Sequence, residues 1–258
     1  MLQPKTLIVA AFLAATPIAV GAVAALTGLA SGPHSAIDVI GFDRKWVLSV
    51  DEARALIASG ALVIDARSAD LRAQAPIRNA QALTPADLAG SDAAVTERLR
   101  QLGFNRDAAA VVIGDPGHDL GADAALVLAL RELGQNRVAL VDGGLPALLA
   151  AGLPTVQPPF GLGNAEIARG QRWSVEATKL RPSDYRIVES GLSAELLTPD
   201  GRLKTADQIA AILAAQGIDR DSRIAAAGQG SAWLATVLID QGYDAHLVAG
   251  EYPLTAAN

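Results

Sequence analysis

The chain has 258 residues, of which 51% are hydrophobic and 19% charged, so it is long enough for two modest globular domains and too apolar for general disorder. The formal net charge of -6 and the lack of any Lys/Arg cluster argue against a nucleic-acid-binding surface. The chain contains no Cys, which excludes disulfides, zinc-thiolate sites and thiol-based mechanisms, and its three His residues lack metal-ligand spacing. We therefore expect no nucleic-acid partner, no metal and no cofactor.

The amino-terminal segment Leu7–Leu29 is 23 residues long and carries no charge. A helix of this length reaches about 35 Å, at about 1.5 Å per residue, which is enough to cross the roughly 30 Å hydrocarbon core of a bilayer. We therefore predict a membrane anchor over residues 1–32, in contact with lipid through Leu7–Leu29. The alternative is a cleaved secretory signal ending at Ala22-Val23-Ala24 or Gly28-Leu29-Ala30, although signal cores usually have about 7 to 15 apolar residues.

Charges on either side of this segment predict its orientation. Lys5 and the α-amino group precede the span, and the first charge after it is Asp38. Because positive charge is retained on the cytoplasmic side, the amino terminus is predicted to be cytoplasmic and the remaining chain to be exported.

An α/β pattern is clearest between Ala108 and Leu153. Ala108–Ile113 is a short apolar run that ends in Gly-Asp-Pro-Gly, which predicts a buried strand entering a sharp turn. Leu120–Leu133 predicts a helix, and Val138–Val141 predicts a second strand, closed by Asp142-Gly143-Gly144 and followed by a short helix. Two strands joined through a helix lie parallel, so the turn after the first strand is placed at the carboxyl edge of the sheet, where sites collect.

The sequence also repeats itself once. The corresponding residues, in chain order, are Trp46 and Trp173, Asp65 and Glu189, Leu71 and Leu196, Leu83-Thr84-Pro85 and Leu197-Thr198-Pro199, Gly103 and Gly217, Arg106-Asp107 and Arg220-Asp221, Gly134 and Gly242, Leu140-Val141 and Leu247-Val248, and Gly143 and Gly250. The second copy is 19 residues shorter between the Trp pair and the Gly134/Gly242 pair. The losses lie before the Leu-Thr-Pro turn and in the loop after the third apolar strand.

This repeat predicts two similar α/β units. We assign the first domain to residues 33–153, a linker to 154–171 and a shortened second domain to 172–258, each domain being a small parallel sheet with helices on both faces. The linker is rich in Pro and Gly and has no periodicity, and its length indicates that it wraps over one domain.

The run VVIGD, a glycine-bearing loop, an Ala-rich helix, LRELG and VALVDGGLPALLAAGLP closely resembles the first domain of the tandem rhodanese-type (thiosulfate and mercaptopyruvate) sulfurtransferases. In the second copy, GRLKTADQIAAILAAQGIDRDSRI is similar to the family's stretch leading to the catalytic loop. The resemblance implies two rhodanese-like domains. It also implies a catalytic cysteine, in a pattern like Cys-Gly-Ser-Gly, whose persulfide is stabilised by backbone N–H groups of the loop.

This sequence departs from the family at that loop. The matching residues are Ala227-Gly228-Gln229-Gly230, so the nucleophile position falls on Ala227, or on Gln229 if the repeat is aligned without a gap. Neither side chain can attack sulfur, and we expect no catalytic residue. Gly228, Gln229, Gly230 and Ser231 remain candidates for binding a small anion through backbone N–H groups, and the alternative is a tight strand-to-helix turn. The equivalent first-domain position is Asp115, where the family's non-catalytic domain also tends to have an acidic residue.

Two other polar motifs have structural explanations, and one family motif is reduced. Asp115, His118 and Asp119 suggest acid/base or metal chemistry, but Asp-Pro-Gly-His-Asp is a turn sequence in which Asp119 is available as a helix N-cap. Asp65 and Arg67 are interpreted as a structural ion pair or turn contact. The family's Gly-His-Ile-Pro-Gly-Ala motif is reduced to residues 75–80, Ala-Pro-Ile-Arg-Asn-Ala.

Together, the missing thiol and the apolar amino terminus predict a catalytically inactive, sulfurtransferase-like pseudoenzyme. It is predicted to be a single-pass protein of the bacterial cytoplasmic membrane, with its domains in the periplasm, and an accessory or scaffolding subunit of an integral membrane protein complex. Two alternatives stay open at this point. One is a sulfurtransferase-related enzyme or anion-binding module that uses the Gly228–Ser231 loop, and the other is a soluble periplasmic binding protein released from its leader.

Overall fold

A computed structural model describes residues 42–249, except 119, 120, 160 and 190. The candidate membrane segment Leu7–Leu29, Asp119 and Gly250 therefore lie outside the described residues. Within the part of the chain that is described, no helix combines the length and hydrophobicity needed to cross a bilayer.

The first half of the described chain forms a five-stranded sheet with the strand order β1-β5-β4-β2-β3. The strands are β1 (Val47–Leu48), β2 (Leu62–Asp65), β3 (Gln81–Ala82), β4 (Ala110–Ile113) and β5 (Val138–Val141). The helices are α1 (Val50–Ala58), α2 (Ala69–Gln74), α3 (Asp92–Gln101), α4 (Ala122–Glu132) and α5 (Gly144–Ala150), with a 3-10 turn at Pro85–Leu88. All strand pairs are parallel, so every strand ends at the same edge.

The second half forms a four-stranded sheet with the strand order β6-β9-β8-β7. Its strands are β6 (Ser174–Glu176), β7 (Arg186–Glu189), β8 (Arg223–Ala227) and β9 (Asp244–Ala249), and its helices are α6 (Gly191–Glu195), α7 (Ala206–Ala215) and α8 (Ser231–Asp240). These strands are also parallel. In the sequence repeat, β6, β9, β8 and β7 correspond to β1, β5, β4 and β2, and these four strands have the same order in the first sheet. The predicted α/β fold with parallel sheets is confirmed.

The strands and helices predicted around Ile113 are close to those observed. The predicted strand begins two residues later, at Ala110, and the predicted helix runs over Ala122–Glu132. The cap position of α4 is Gly121, with a left-handed φ of +102° and no side-chain cap, whereas Asp119, the candidate N-cap in the sequence, lies outside the described residues. A first-turn N–H is satisfied within the helix, since the Asp123 carboxylate accepts from Ala124 N at 2.8 Å. The cap position therefore needs backbone freedom rather than a carboxylate.

Helices cover the two sheets unequally. In the first sheet, α1 and α5 pack on one face around Leu56 and Leu148, and α3 and α4 pack on the other. In the second sheet, α7 and α8 cover the face that looks towards the first half. The opposite face forms a small cluster that includes Leu180 and Val248, and the described residues that cover it belong to an irregular segment with a short 3-10 helix, Ala177–Lys179. Among the described residues, the expectation of helices on both faces thus holds only for the first sheet.

Helices α4 and α8 pack against each other and join both sheets into one apolar core. Leu126 and Leu130 of α4 and Leu234 and Leu238 of α8 are fully buried in this cluster. The amino ends of the two helices meet, and a Cβ added to Gly121 would lie 3.4 Å from the Cα of Gly230, which is ordinary van der Waals contact. Glycine at the N-cap of α4 is therefore explained by its left-handed φ of +102° and not by lack of space.

The carboxyl ends of the same two helices hold the opposite half of the chain. The Asp240 carboxylate, at the end of α8, accepts the backbone N–H of Trp46 at 2.8 Å. Reciprocally, the Glu132 carboxylate, at the end of α4, accepts the N–H of Trp173 at 2.8 Å. The two indole rings meet edge to face, with centroids 5.0 Å apart. Because Glu132 corresponds to Asp240 in the sequence repeat and Trp46 to Trp173, the two halves are related by a pseudo-two-fold axis.

The segment of residues 154–171 lies along the first half. Gly163 N donates to Arg100 O at 2.8 Å, and Ala168 N donates to Leu133 O at 3.1 Å. A Cβ on Gly163 would lie 1.9 Å from the carbonyl oxygen of Phe104, so only glycine lets this segment approach the first half so closely. The segment thus wraps over the first half before the chain enters β6.

We predict that Asp240→Ala destabilises the protein by about 1–3 kcal/mol, because the partly buried N–H groups of Trp46 and Val47 lose their acceptor. Asp240→Asn keeps one carbonyl oxygen as an acceptor and should therefore lose less stability than Asp240→Ala. Chemical denaturation followed by tryptophan fluorescence measures both changes. Asp221→Ala, which removes an exposed carboxylate from a turn, is the control. An equal loss in Asp221→Ala and Asp240→Ala would contradict the proposed role of the contact.

Candidate functional site

The carboxyl ends of both sheets face the same side of the molecule. Helices α4 and α8 run back against their strands, and their N-caps, Gly121 and Gly230, touch. The loops that follow β4 and β8 therefore meet at this side. In open α/β sheets ligands bind at such an edge, which makes it the candidate site.

The loop after β8 contains only residues 228–230, whereas the loop after β4 contains residues 114–121. Ala227 ends β8, and its methyl group is buried with Leu180 and Val248 on the sheet face opposite to α8. Gln229 is exposed at the tip of the loop. The two alternative nucleophile positions therefore lie in different environments, one in an apolar cluster and the other in solvent.

The four anion-binding candidates form a closed turn. Ser231 N donates to Gly228 O at 3.2 Å, so this backbone N–H is already used. Gly228 and Gly230 have left-handed φ values of +91° and +77°, which bring the strand abruptly into the helix. The first turn of α8 lies against the first half, since a Cβ on Gly121 would lie 3.6 Å from Trp233 N. The geometry is that of a tight strand-to-helix turn packed under the other half.

Asp115 and His118 belong to a self-contained turn. Asp115 Oδ1 accepts from Gly117 N at 3.2 Å and lies 3.1 Å from His118 Nδ1. His118 N also donates to the Asp115 carbonyl at 3.1 Å. The His118 side chain is two-thirds exposed, whereas that of Asp115 is mostly buried. Among the described residues, no three acidic or His side chains are grouped closely enough to hold a metal ion.

Asp65 and Arg67 form a buried bidentate ion pair at the end of β2. Arg67 Nε lies 2.8 Å from Asp65 Oδ1, and Arg67 Nη2 lies 2.7 Å from Asp65 Oδ2. Both residues are at most 3% exposed. Arg67 Nη2 also donates to Ala75 O at 2.7 Å, which fixes the start of the segment that replaces the family motif. The structural interpretation of this pair is confirmed.

A contact that the sequence did not indicate links the two halves at this edge. Asp142 Oδ2, in the Asp-Gly-Gly turn after β5, lies 2.9 Å from Arg202 Nε, and Asp142 Oδ1 accepts from Leu203 N at 2.8 Å. The Arg202 side chain lies on Gly143, where a Cβ would come within 2.7 Å of Arg202 Cδ. Asp142 and Arg202 are 60 residues apart in the sequence, so neither hydrophobic periodicity nor the spacing within a short motif indicated their contact.

The turn that carries Arg202 is itself held together by hydrogen bonds. Thr198 Oγ1 donates to Arg202 O at 2.8 Å and accepts from Arg202 N at 3.1 Å. A hydrogen bond with Thr198 and the backbone N–H of Asp200 hold the pKa of the Asp200 carboxyl below its usual range. Each polar cluster described at this edge is thus paired internally.

Comparison with known proteins identifies the fold. A family model for the rhodanese-like domain matches residues 49–151. No curated protein matches the sequence significantly. The structure is similar to that of SseA from Escherichia coli, described as a 3-mercaptopyruvate sulfotransferase with a rhodanese fold, with a TM-score of 0.62 and 16% identity over 81% of this chain and 99% of SseA.

Two further structures show the same similarity. The 3-mercaptopyruvate sulfurtransferase from Leishmania major has a TM-score of 0.59 and 14% identity over 79% of this chain and 72% of that protein. The anaerobic ergothioneine biosynthesis enzyme from Chlorobium limicola has a TM-score of 0.58 and 14% identity over 80% of this chain and 66% of that enzyme. Residues 49–151 thus form a rhodanese-like domain in a fold that resembles sulfurtransferases, and identities this low establish the fold alone.

We predict that Arg67→Met destabilises the protein by about 3–5 kcal/mol, because it leaves the Asp65 carboxylate buried without its cation. The double variant Asp65→Leu/Arg67→Met removes both charges and should lose less stability than Arg67→Met. Chemical denaturation measures the stability of both variants. Arg98→Met, which breaks an exposed pair with Asp87, is the matched control and should cost at most about 1 kcal/mol. A loss in Arg67→Met as small as in this control would show that the buried pair does not hold this loop.

Proposed function

We propose that this protein is a catalytically inactive, sulfurtransferase-like subunit, anchored in the bacterial cytoplasmic membrane with its domains in the periplasm. There it serves as an accessory or scaffolding component of an integral membrane protein complex. The observation that carries the proposal is a rhodanese-like fold in a chain without a single Cys. The fold's sulfur chemistry needs a thiolate, and contact with other proteins is what remains to it.

The local geometry of the second half supports inactivity. Ala227 contributes a buried methyl group, and the three-residue loop after it is closed by a hydrogen bond from Ser231 N to the Gly228 carbonyl. A loop of this length leaves little room for the N–H cradle that would stabilise an anionic persulfide. At the alternative nucleophile position, Gln229 contributes an uncharged amide, which cannot replace the thiol.

The membrane assignment rests on the sequence. Leu7–Leu29 contains 23 residues without charge, and Lys5 precedes it. An anchor of this kind holds the folded halves beside the bilayer, where exported parts of membrane proteins are within reach.

A second candidate function is the binding of a small anion without covalent chemistry. It is favoured by the contact between Gly121 and Gly230, which brings the amino ends of α4 and α8, and hence the positive ends of two helix dipoles, to one place. Sulfate, thiosulfate and phosphate at millimolar concentration are the probes. A rise in melting temperature specific to one of these anions, measured against chloride at equal ionic strength, would favour this candidate.

We predict that the purified chain transfers no sulfur from thiosulfate to cyanide above the rate of a heat-inactivated control. Ala227→Cys and Gln229→Cys should stay inactive as well, because the new thiols would lie in an apolar cluster and at an exposed loop tip, respectively. Thiocyanate formation is the measurement. Turnover by the unaltered chain would exclude the proposed inactivity, and activity restored by either Cys variant would show that the catalytic frame is intact.

We predict that the tagged native protein leaves the membrane in mild detergent together with defined integral membrane proteins, in constant ratio. Quantitative mass spectrometry of the purified material measures the ratio, and intact mass of the chain shows whether residues 1–32 are retained. Replacement of residues 1–32 by a cleavable signal is the control, and it should release the chain in soluble form. Recovery as a lone monomer in every detergent, or a mature chain that lacks the segment, would count against the membrane subunit.

A further inference from the structure

Among the described residues, the second sheet ends at β7, whose outer edge pairs with no strand. In the first sheet, β3 lies at the edge and covers β2, whereas β7, the equivalent of β2, is itself the edge strand. The sequence repeat explains the difference. Leu71 and Leu83 correspond to the adjacent residues Leu196 and Leu197, so the eleven residues 72–82, which include β3, have no counterpart. The deletion exposes hydrogen-bonding groups that the first half satisfies with its own chain.

The first half shows how such an edge is filled. There β3 pairs with β2 in parallel, with Ile64 beside Gln81 and Asp65 beside Ala82. Leu83 N donates to the Asp65 carbonyl at 3.4 Å, so the backbone of Asp65 faces β3. Glu189 corresponds to Asp65. Because backbone groups along an edge strand face outwards at alternate residues, the N–H and C=O groups of Ile187 and Glu189 face the open edge.

A groove of about 300 Å³ follows β7 and is lined by all four of its residues. Its apolar lining includes Leu192 and Ile218, which are 5% and 2% exposed. The rim is polar, where Gln216 Nε2 lies 3.2 Å from Glu195 Oε2. The open edge therefore combines backbone groups, an apolar floor and a polar rim, as a site for an added strand requires.

The charges of β7 decide between possible occupants. Arg186 and Glu189 are exposed at the amino and carboxyl ends of the strand. Being three residues apart, they lie on opposite faces of the sheet. In an antiparallel pair of two β7 strands, Arg186 therefore never stands beside Glu189 of the other copy. A second copy of this chain leaves the charges unmatched, and a partner with a different sequence can match them.

We propose that β7 binds an extended segment of a partner protein, which adds to the sheet as a fifth strand parallel to β7, in the place that β3 takes in the first half. In the register of β3, the segment carries a carboxylate beside Arg186 and a cation beside Glu189, in the order acidic-x-x-basic. The inference rests on the proposed accessory role only for the origin of the segment in a membrane complex. Peptide binding tests the edge without that complex, so the two proposals fail separately.

The absence of native Cys allows a direct test by disulfide tethering. In the full chain in lipid nanodiscs, Asp184→Cys places a single thiol in the exposed turn just before β7. Two peptides of equal composition, Cys-Gly-Ser-Glu-Val-Gln-Lys-Gly and Cys-Gly-Ser-Lys-Val-Gln-Glu-Gly, are equilibrated with this thiol under 2-mercaptoethanol. We expect the acid-first peptide to form the mixed disulfide about three- to tenfold more favourably, because two exposed cross-strand charge pairs change sign between the peptides.

The double variant Arg186→Glu/Glu189→Arg, in the same background, should invert this preference. Glu176→Lys/Lys179→Glu is the matched control, because it swaps an exposed pair, 2.7 Å apart, at β6 on the opposite edge of the same sheet, and it should keep the acid-first preference. Equal tethering of both peptides by the unswapped chain would overturn the proposal and show that the charges only protect the edge. The proposal would also be overturned if the unswapped chain preferred the basic-first peptide, or if Arg186→Glu/Glu189→Arg still preferred the acid-first peptide.

Discussion

The contact between helices α4 and α8 is the interaction on which the whole structure depends. A parallel sheet exposes two apolar faces, and both must be covered. The second sheet has two helices for one face and mainly an irregular segment for the other among the described residues, so the shared core supplies much of its burial. The carboxylates of Glu132 and Asp240 then fix each half to the first strand of the other, so that neither half is arranged independently.

The same contact shapes the edge where the fold would place a ligand. Close packing of Gly121 on Gly230 brings the loops after β4 and β8 together, and Arg202 closes over the Asp-Gly-Gly turn by pairing with Asp142. The charged side chains described at this edge pair with one another, and the pair between Asp142 and Arg202 stabilises the packing of the two halves.

Shortening of the second half has two structural consequences. The loop that enters α8 is a three-residue turn, and the loss of the segment equivalent to residues 72–82 leaves the outer edge of β7 without a paired strand among the described residues. In the functions proposed above, the first feature leaves no position for a reactive thiol, and the second provides the edge to which a partner segment adds. Both features lie in the half that corresponds to the catalytic domain of the family that this chain resembles.

The sequence by itself determined the features that depend on composition and short spacing. It showed the absence of a thiol, the α/β pattern, the repeat of the α/β unit and the Asp65–Arg67 pair, whose members stand two residues apart. Only the tertiary structure decided the strand order of each sheet, the contact between Asp142 and Arg202, and the hydrogen bonds by which the acids ending α4 and α8 hold the opposite half. The reason is physical: local patterns report which face of an element is apolar, whereas contacts between distant residues depend on how closely the packed helices cross.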